Sequence, residues 1–414
     1  MKKIILFLLC LSSTLTVFSQ ATVGCDGFRY NFDVFSDTTM TTVKYGRNAP
    51  QGGAAIDLFM DIVQPKGDAQ AKRPVILWAF GGGFVQGTRA EMRSFCQIFA
   101  KKGYVCVSID YRLYNIVTQG IPDSTKITPT IIQAAQDMKA AVRFLYKDAK
   151  TTNTFKVDTN NIIVGGVSAG AITAMATAQM DSIDKIDTWI RDIITKQGGF
   201  EGNSGNEGFS SKVKGAINAS GALYRKEWLD KDDVPFISYH GTADDVVAYG
   251  YGKNVYSFFG DGSGTLYPEA RRLGIPSVIV TVPGGGHAEL YNTNGRYLIN
   301  FLDFLGRTVT FSKSLVCGEP IASLSTAVDD IDYQQVSLYP NPSSGDMTLE
   351  MGKNTEGGYR IAVYDLVGRE VFNSGKQNAP QYTFKKENIG KGLFIAKVVF
   401  DNKQSVLTKK IIFQ

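Results

Sequence analysis

Ile162-Ile163-Val164-Gly165-Gly166-Val167-Ser168-Ala169-Gly170-Ala171 decides how the chain is read. A β-branched run enters Gly166-Val167-Ser168-Ala169-Gly170, and small residues at helical spacing follow (Ala171, Ala174, Ala176, Ala178). Strand, sharp turn and helix in that order are the setting a G-x-S-x-G nucleophile elbow needs. The turn lifts the serine hydroxyl above a sheet, and the glycines keep side chains out of the close strand–helix contact. The pentapeptide alone is a weak signal, because any turn rich in Gly and Ser can spell it. Its weight comes from its neighbours.

Upstream, Pro74-Val75-Ile76-Leu77-Trp78-Ala79-Phe80 is an almost unbroken apolar run, the pattern of a strand buried on both faces. It ends in Gly81-Gly82-Gly83-Phe84, whose backbone amides can approach a ligand closely because no Cβ intervenes. A glycine loop directly after a central strand is where an oxyanion-hole loop belongs in such a domain. A helix is predicted over 91–102, a buried strand over 105–110 with the turn Tyr111-Arg112-Leu113 behind it, and a helix over 131–147. Before residue 74, alternating segments such as 54–63 read as antiparallel opening strands. Beyond the elbow, strands are predicted over 213–218, 234–239 and 277–282. The alternation of strand and helix from 74 to 304 specifies a doubly wound α/β domain with a mostly parallel sheet. A Gly/Asn-rich insert over 198–208 is expected to border the substrate.

An acid and a base fall where the elbow calls for them. His240-Gly241-Thr242-Ala243-Asp244-Asp245 ends one predicted strand, and His287 follows Pro283-Gly284-Gly285-Gly286 after the last. With only two histidines in the chain, the base is His240 or His287. His240 belongs to the acid's own loop, which suits a structural hydrogen bond, so His287 is the candidate base. Asp244 is preferred to Asp245 by the H-G-x-x-D spacing. The candidate catalytic residues are therefore Ser168, Asp244 and His287, in the order serine, acid, histidine.

Composition narrows the rest. A formal net charge of +5 over 414 residues, without a dense basic patch, argues against nucleic acid as partner. Lys2-Lys3, an apolar stretch over 4–11 and Ser19-Gln20-Ala21 resemble a secretory signal peptide (1–20), too short to span a bilayer stably. Cys25, Cys96, Cys106 and Cys317 remain after the leader. In an exported chain they allow three pairings. Cys25 and Cys317 flank the catalytic region, which makes a bridge between its ends attractive, while Cys96 and Cys106 read equally well as buried thiols. Two histidines and no C-x-x-C leave no His- or Cys-rich metal site, and the expected chemistry needs no cofactor.

With these motifs in place, the chain resembles the α/β-hydrolase superfamily, particularly its serine esterases and lipases. The loop at 80–84 is similar to the HGGG or GGGF element of carboxylesterases, with Phe80 in place of the usual histidine. The resemblance implies that the amides of Gly82, Gly83 and Ala169 form the oxyanion hole. Phe84, Tyr111 and Tyr114 are candidates to line a substrate pocket. The His-Gly-Thr-Ala-Asp-Asp segment is shared with prolyl-oligopeptidase-type peptidases, so a serine peptidase stays open, as does a surface binding protein that kept the fold and lost catalysis.

The tail is separate. Val336-Ser337-Leu338-Tyr339-Pro340-Asn341-Pro342-Ser343-Ser344-Gly345, Val363-Tyr364-Asp365-Leu366-Val367-Gly368-Arg369 and Gly392-Leu393-Phe394-Ile395-Ala396-Lys397-Val398 read as short strands of a β-sandwich. With the ending Lys409-Lys410-Ile411-Ile412-Phe413-Gln414, they resemble the type A sorting domain of the type IX secretion system of Bacteroidota. That resemblance implies the secretion machinery as partner and a secreted or cell-surface protein. The expected division is a leader at 1–20, an α/β-hydrolase domain at 21–311, a linker at 312–332 and a sorting domain at 333–414. An ester, small or polymer-linked, is the expected substrate.

Overall fold

In the computed structural model, which describes residues 24–287, 291, 298–321, 336–351, 358–365, 370–400 and 406–414, the central apolar run is strand β3 (Arg73–Ala79), buried at every position. It lies between β4 (Val105–Ile109) and β5 (Val157–Val167), both parallel to it. β6 (Gly215–Ala219), β8 (Phe236–Gly241) and β11 (Ser277–Val282) continue the parallel sheet on the β5 side. On the β4 side, β2 (Ile56–Pro65) and β1 (Thr38–Asn48) run antiparallel. The resulting order is β1-β2-β4-β3-β5-β6-β8-β11.

Between the strands run α1 (Arg93–Lys101), α2 (Ile116–Gln119), α3 (Ser124–Lys150), α4 (Ala169–Gln179), α5 (Thr188–Lys196), α6 (Ser263–Leu273) and α7 (Leu298–Cys317). α3 starts seven residues before the apolar periodicity at 131 because Asp123 caps it, its carboxylate accepting the amides of Thr125 and Lys126 at 2.9 and 3.0 Å. A small second sheet, β7-β10-β9, joins β7 (Ala222–Leu223), β9 (Tyr251–Lys253) and β10 (Phe259–Gly262). No sequence signal pointed to it, since strands this short carry no period.

The expected boundary at 311 is corrected. α7 runs through it to Cys317, and Phe311, Ser312, Ser314, Leu315 and Val316 are buried in the α/β core, as is Ile321 beyond the helix. Ser312 and Ser314 looked like linker composition, but they flank the apolar face that docks the helix. Cys317 is disulfide-bonded to Cys25, 292 residues away, whereas Cys96 and Cys106 are buried free thiols. Closing so long a loop restricts the unfolded chain by about 6 kcal/mol in the chain-entropy model, of which disulfides typically deliver ~2–4 kcal/mol. Cys317→Ser is expected to lower the melting temperature by roughly 5–10 °C, given the 2–4 °C that each kcal/mol produces in a chain of this size. A thermal melt in which the variant and the parent coincide would refute a stabilising clasp.

The C-terminal region has its own core. β12 (Val336–Tyr339), β13 (Met347–Met351) and β16 (Gln381–Phe384) form one sheet. β14 (Tyr359–Tyr364), β15 (Glu370–Gln377), β17 (Gly392–Phe400) and β18 (Val406–Phe413) form the other, with a one-turn helix α8 (Lys386–Ile389) before β17. Met347, Leu349, Ile361, Val363, Phe384, Val398 and Ile411 from both sheets pack together, which makes the region a sandwich. The leader at 1–20 and linker residues 322–332 lie outside the described residues. Among the described residues no helix is long and apolar enough to cross a membrane.

Candidate active site

Ser168 stands between β5 and α4 with φ 57° and ψ −122°, a left-handed conformation that costs a non-glycine residue ~1–3 kcal/mol. The surroundings hold it there. Its amide donates to Ala219 O at 2.8 Å, and its carbonyl accepts from Ala171 and Ile172 at 2.9 and 3.0 Å. A Cβ at Gly166 would lie 2.1 Å from the Gly170 backbone, and one at Gly170 would lie 2.1 Å from Ala79 O. Both outer positions of the pentapeptide are glycine because β5, α4 and the end of β3 touch backbone to backbone.

The acid and histidine loops are fastened to each other at the ends of β8 and β11. Thr242 N donates to Val282 O and Ala243 N to Gly285 O, each at 3.0 Å, and a Cβ at Gly241 would meet Gly285 O at 2.1 Å. The fastening brings three predicted residues together. His287 Nε2 is 2.8 Å from Ser168 Oγ, and His287 Nδ1 is 2.7 Å from Asp244 Oδ2. The carboxylate opposite Nδ1 fixes the proton on that nitrogen and leaves Nε2 free to accept from the serine. Asp244 Oδ1 accepts the amides of Val246 and Val247 at 3.0 and 2.8 Å, so neither carboxylate oxygen is idle. Burial pushes the Asp244 carboxyl up, but hydrogen bonds from His240 and His287 outweigh it and hold the group well below the usual carboxylate range. Asp245 is exposed.

His240 is fully buried behind the acid. Its Nδ1 faces Ser263 Oγ at 2.8 Å, and its Nε2 faces Val247 O at 3.0 Å and Asp244 Oδ2 at 3.3 Å. Since Val247 O only accepts, Nε2 carries the hydrogen, and His240 braces the acid's loop. The ring of Tyr291 stands edge-on to His287 at 5.9 Å, a neighbour that no motif announced.

The glycine loop abuts the serine: a Cβ at Gly81 would lie 3.4 Å from Ser168 Cβ. Among the described residues the amides of Gly82 and Gly83 donate to no acceptor, and the Ala169 amide is the first of α4, where no intrahelical partner exists. These amides, with the positive end of the helix dipole, suit an oxyanion beside Ser168.

Two expectations are corrected. Phe84, Tyr111 and Tyr114 do not line an open pocket: they are 1%, 2% and 1% exposed. Tyr111 stacks on Phe80 at 4.3 Å and donates to Phe80 O at 2.8 Å, while Tyr114 donates its hydroxyl to Gln119 O at 3.2 Å and its amide to Phe84 O at 2.8 Å. They buttress the glycine loop, because an aromatic ring next to a buried strand gains more from packing than from solvent. The insert at 198–208 binds α3 and β1: Glu201 pairs with Lys139 and Arg143, Ser204 donates to Asp137, and Arg47 N donates to Ser204 O. Gly46 of β1 allows that close docking, since a Cβ there would meet Ser204 O at 2.3 Å, and Asn206 of the insert donates its side-chain amide to Tyr45 O at 2.7 Å.

Among the described residues one carboxylate group has ligand spacing for a metal, Asp181, Asp184 and Asp230, with oxygens within 4.8 Å of one another. It lies beyond the C-terminal end of α4 and before β8, at the opposite ends of the strands from Ser168, and contributes nothing to the serine site. Burial and the neighbouring carboxylates push Asp184 up to about 7 and Asp233 up to about 8. Both values exceed those of the unfolded chain, so the native state keeps protons that the unfolded state sheds. Stability is therefore present at acid pH and is lost as pH rises from about 4 to about 8. The melting temperature is expected to be lower at pH 8.5 than at pH 5, and Asp233→Asn should raise it at pH 8.5 by about 2–4 °C. A rise of equal size at pH 5 would contradict this origin.

Residues 60–221 match the BD-FAE family model. The matched segment is similar to a BD-FAE domain, and the eight-stranded sheet with its helices has the α/β-hydrolase fold. The match to the BD-FAE domain includes Ser168 and the glycine loop and stops before Asp244 and His287. Residues 337–414 match the secretion system C-terminal sorting domain, which marks the chain for type IX export to the outside or the cell surface. Fumonisin B1 esterase of Sphingopyxis macrogoltabida is 31% identical over 117 residues, 28% of this chain, and that segment spans only 21% of the relative's length. Two solved structures of Thermogutta terrifontis esterase 2, one phosphorylated by paraoxon and one propionate-bound, are 21% and 20% identical. Each covers 66% of this chain and 92% of its own, with TM-scores of 0.48 and 0.47.

Proposed function

We propose that this protein is an exported serine carboxylic-ester hydrolase. The observation that carries the reading is the continuous chain Ser168 Oγ–His287–Asp244, at 2.8 and 2.7 Å, beside unpartnered amides. Ser168 Oγ attacks the acyl carbon while His287 Nε2 takes its proton, and Asp244 stabilises the imidazolium. The amides of Gly82, Gly83 and Ala169 receive the oxyanion, each donor contributing roughly 3 kcal/mol. His287 then protonates the departing alcohol, and water, activated by the same imidazole, releases the acid.

Similarity to the BD-FAE model and to an enzyme named as an esterase favours esters over amides. Esters of carbohydrates or small alcohols are the preferred class. Between β6 and β8, and between β8 and α6, the chain holds only one-turn helices and strands of two to four residues, so neither of these connections builds a large cap. Residues 1–20 act as the export signal, and the sorting domain then engages the secretion machinery. The test is turnover of p-nitrophenyl acetate, butyrate and a longer acyl ester beside aminoacyl p-nitroanilides. Faster cleavage of the anilides would replace the reading with a peptidase.

A further inference from the structure

One polar group beside the glycine loop belongs neither to that loop nor to the Ser–His–Asp chain. β9 and β10 are the paired arms of a hairpin, and Tyr256 sits at its turn. A Cβ at Gly83 would lie 3.4 Å from both Cε2 and the hydroxyl of Tyr256, so the edge of the phenol overhangs the glycine loop. The backbone keeps it there against its own preference, for Tyr256 and Ser257 have φ of 60° and 63°, where non-glycine residues are strained. Asn254 enforces the turn. Its amide donates to Phe258 O at 2.8 Å, its carbonyl accepts from Ser257 at 3.0 Å, and its buried side chain accepts from Ala248 N at 2.8 Å. The Tyr256 ring is half-buried, and among the described residues its hydroxyl has no hydrogen-bond partner.

A strained turn that presents an unpartnered phenol beside the site of an oxyanion is built to meet a ligand. We propose that Tyr256 determines specificity by hydrogen-bonding a substrate oxygen that lies outside the scissile ester group. This rests on the ester-hydrolase reading. The chemistry recognised is a hydroxyl, ether or second ester oxygen close to the scissile bond, carried either by a polyol alcohol such as a sugar or by a hydroxy acid. A plain alkyl ester offers the phenol nothing, and an aromatic ring alone would fill the same space.

Two substrate pairs separate the sources: glucose pentaacetate against propyl acetate, and ethyl lactate against ethyl propionate. Tyr256→Phe is expected to lower kcat/KM about 5–10-fold on the oxygen-bearing member of one pair, the value of one neutral hydrogen bond, with the plain member within about twofold. The affected pair identifies the alcohol or the acyl side. An equal loss on all four substrates would show packing or a contact to the ester group itself, and no loss on any would show an idle hydroxyl; either result overturns the proposal. If the wild-type protein cleaves none of the four and no p-nitrophenyl ester, the ester-hydrolase reading falls first and takes this inference with it. An unchanged melting temperature in Tyr256→Phe ties the selective loss to the hydroxyl.

Discussion

Ser168→Ala is expected to lower kcat/KM on short p-nitrophenyl esters by at least ~10³-fold, leaving only what the amides and binding supply. The substitution isolates one atom. Alanine keeps the Cβ at φ 57°, so backbone strain is the same before and after, and the bond to Ala219 O and those from the Ala171 and Ile172 amides involve only main chain. Only Oγ is lost, and with it the sole acceptor of the acyl group. Fold and melting temperature should hold while activity vanishes. A variant retaining a tenth of the parental rate would remove Ser168 from the chemistry and leave its strained turn without a purpose.

Asp244→Asn should cost about 10⁴-fold in kcat through a different route, the histidine tautomer. Asp244 Oδ2 faces the Nδ1 hydrogen of His287 at 2.7 Å. An amide group in that place can present its NH₂ to Nδ1, which moves the imidazole hydrogen to Nε2, where it blocks acceptance from Ser168. The adjacent Asp245 is exposed and serves as control: Asp245→Asn should leave kcat unchanged. Equal effects at the two positions would mean that net charge near the site, and not this hydrogen bond, sustains the reaction.

The elbow, the glycine loop, the acid and the histidine were legible because each is marked locally. β-Branched runs announce buried parallel strands, and glycines at 166, 170 and 241 record contacts where a Cβ would sit 2.1 Å from another backbone atom. What escaped the sequence depends on distant partners. Phe84, Tyr111 and Tyr114 have the composition of a pocket wall, and only their burial against Phe80 and the strand ends shows them to be supports. Tyr256 lies in a segment without period or motif, and its relation to Gly83 spans 173 positions of the chain. The insert at 198–208 reads as a border of the substrate site because its composition is polar and rich in Gly and Asn, yet its polar groups are consumed by Arg143, Asp137 and the end of β1. Residues 312–317 looked like a linker for the same reason.

The bond between Cys25 and Cys317 gives the hydrolase a sense of where it is. Thiols stay reduced inside a bacterial cell and oxidise once outside the inner membrane. A copy still inside the cell thus lacks its clasp and unfolds more readily than one already oxidised outside. After crossing, oxidation joins the two ends of the catalytic domain, and unfolding becomes rarer in the compartment where no chaperone fuelled by ATP waits to repair it. Since Cys317 precedes the sorting domain, the clasp also survives any cut made in the intervening segment, and proteolytic trimming of the tail leaves both ends of the hydrolase tied.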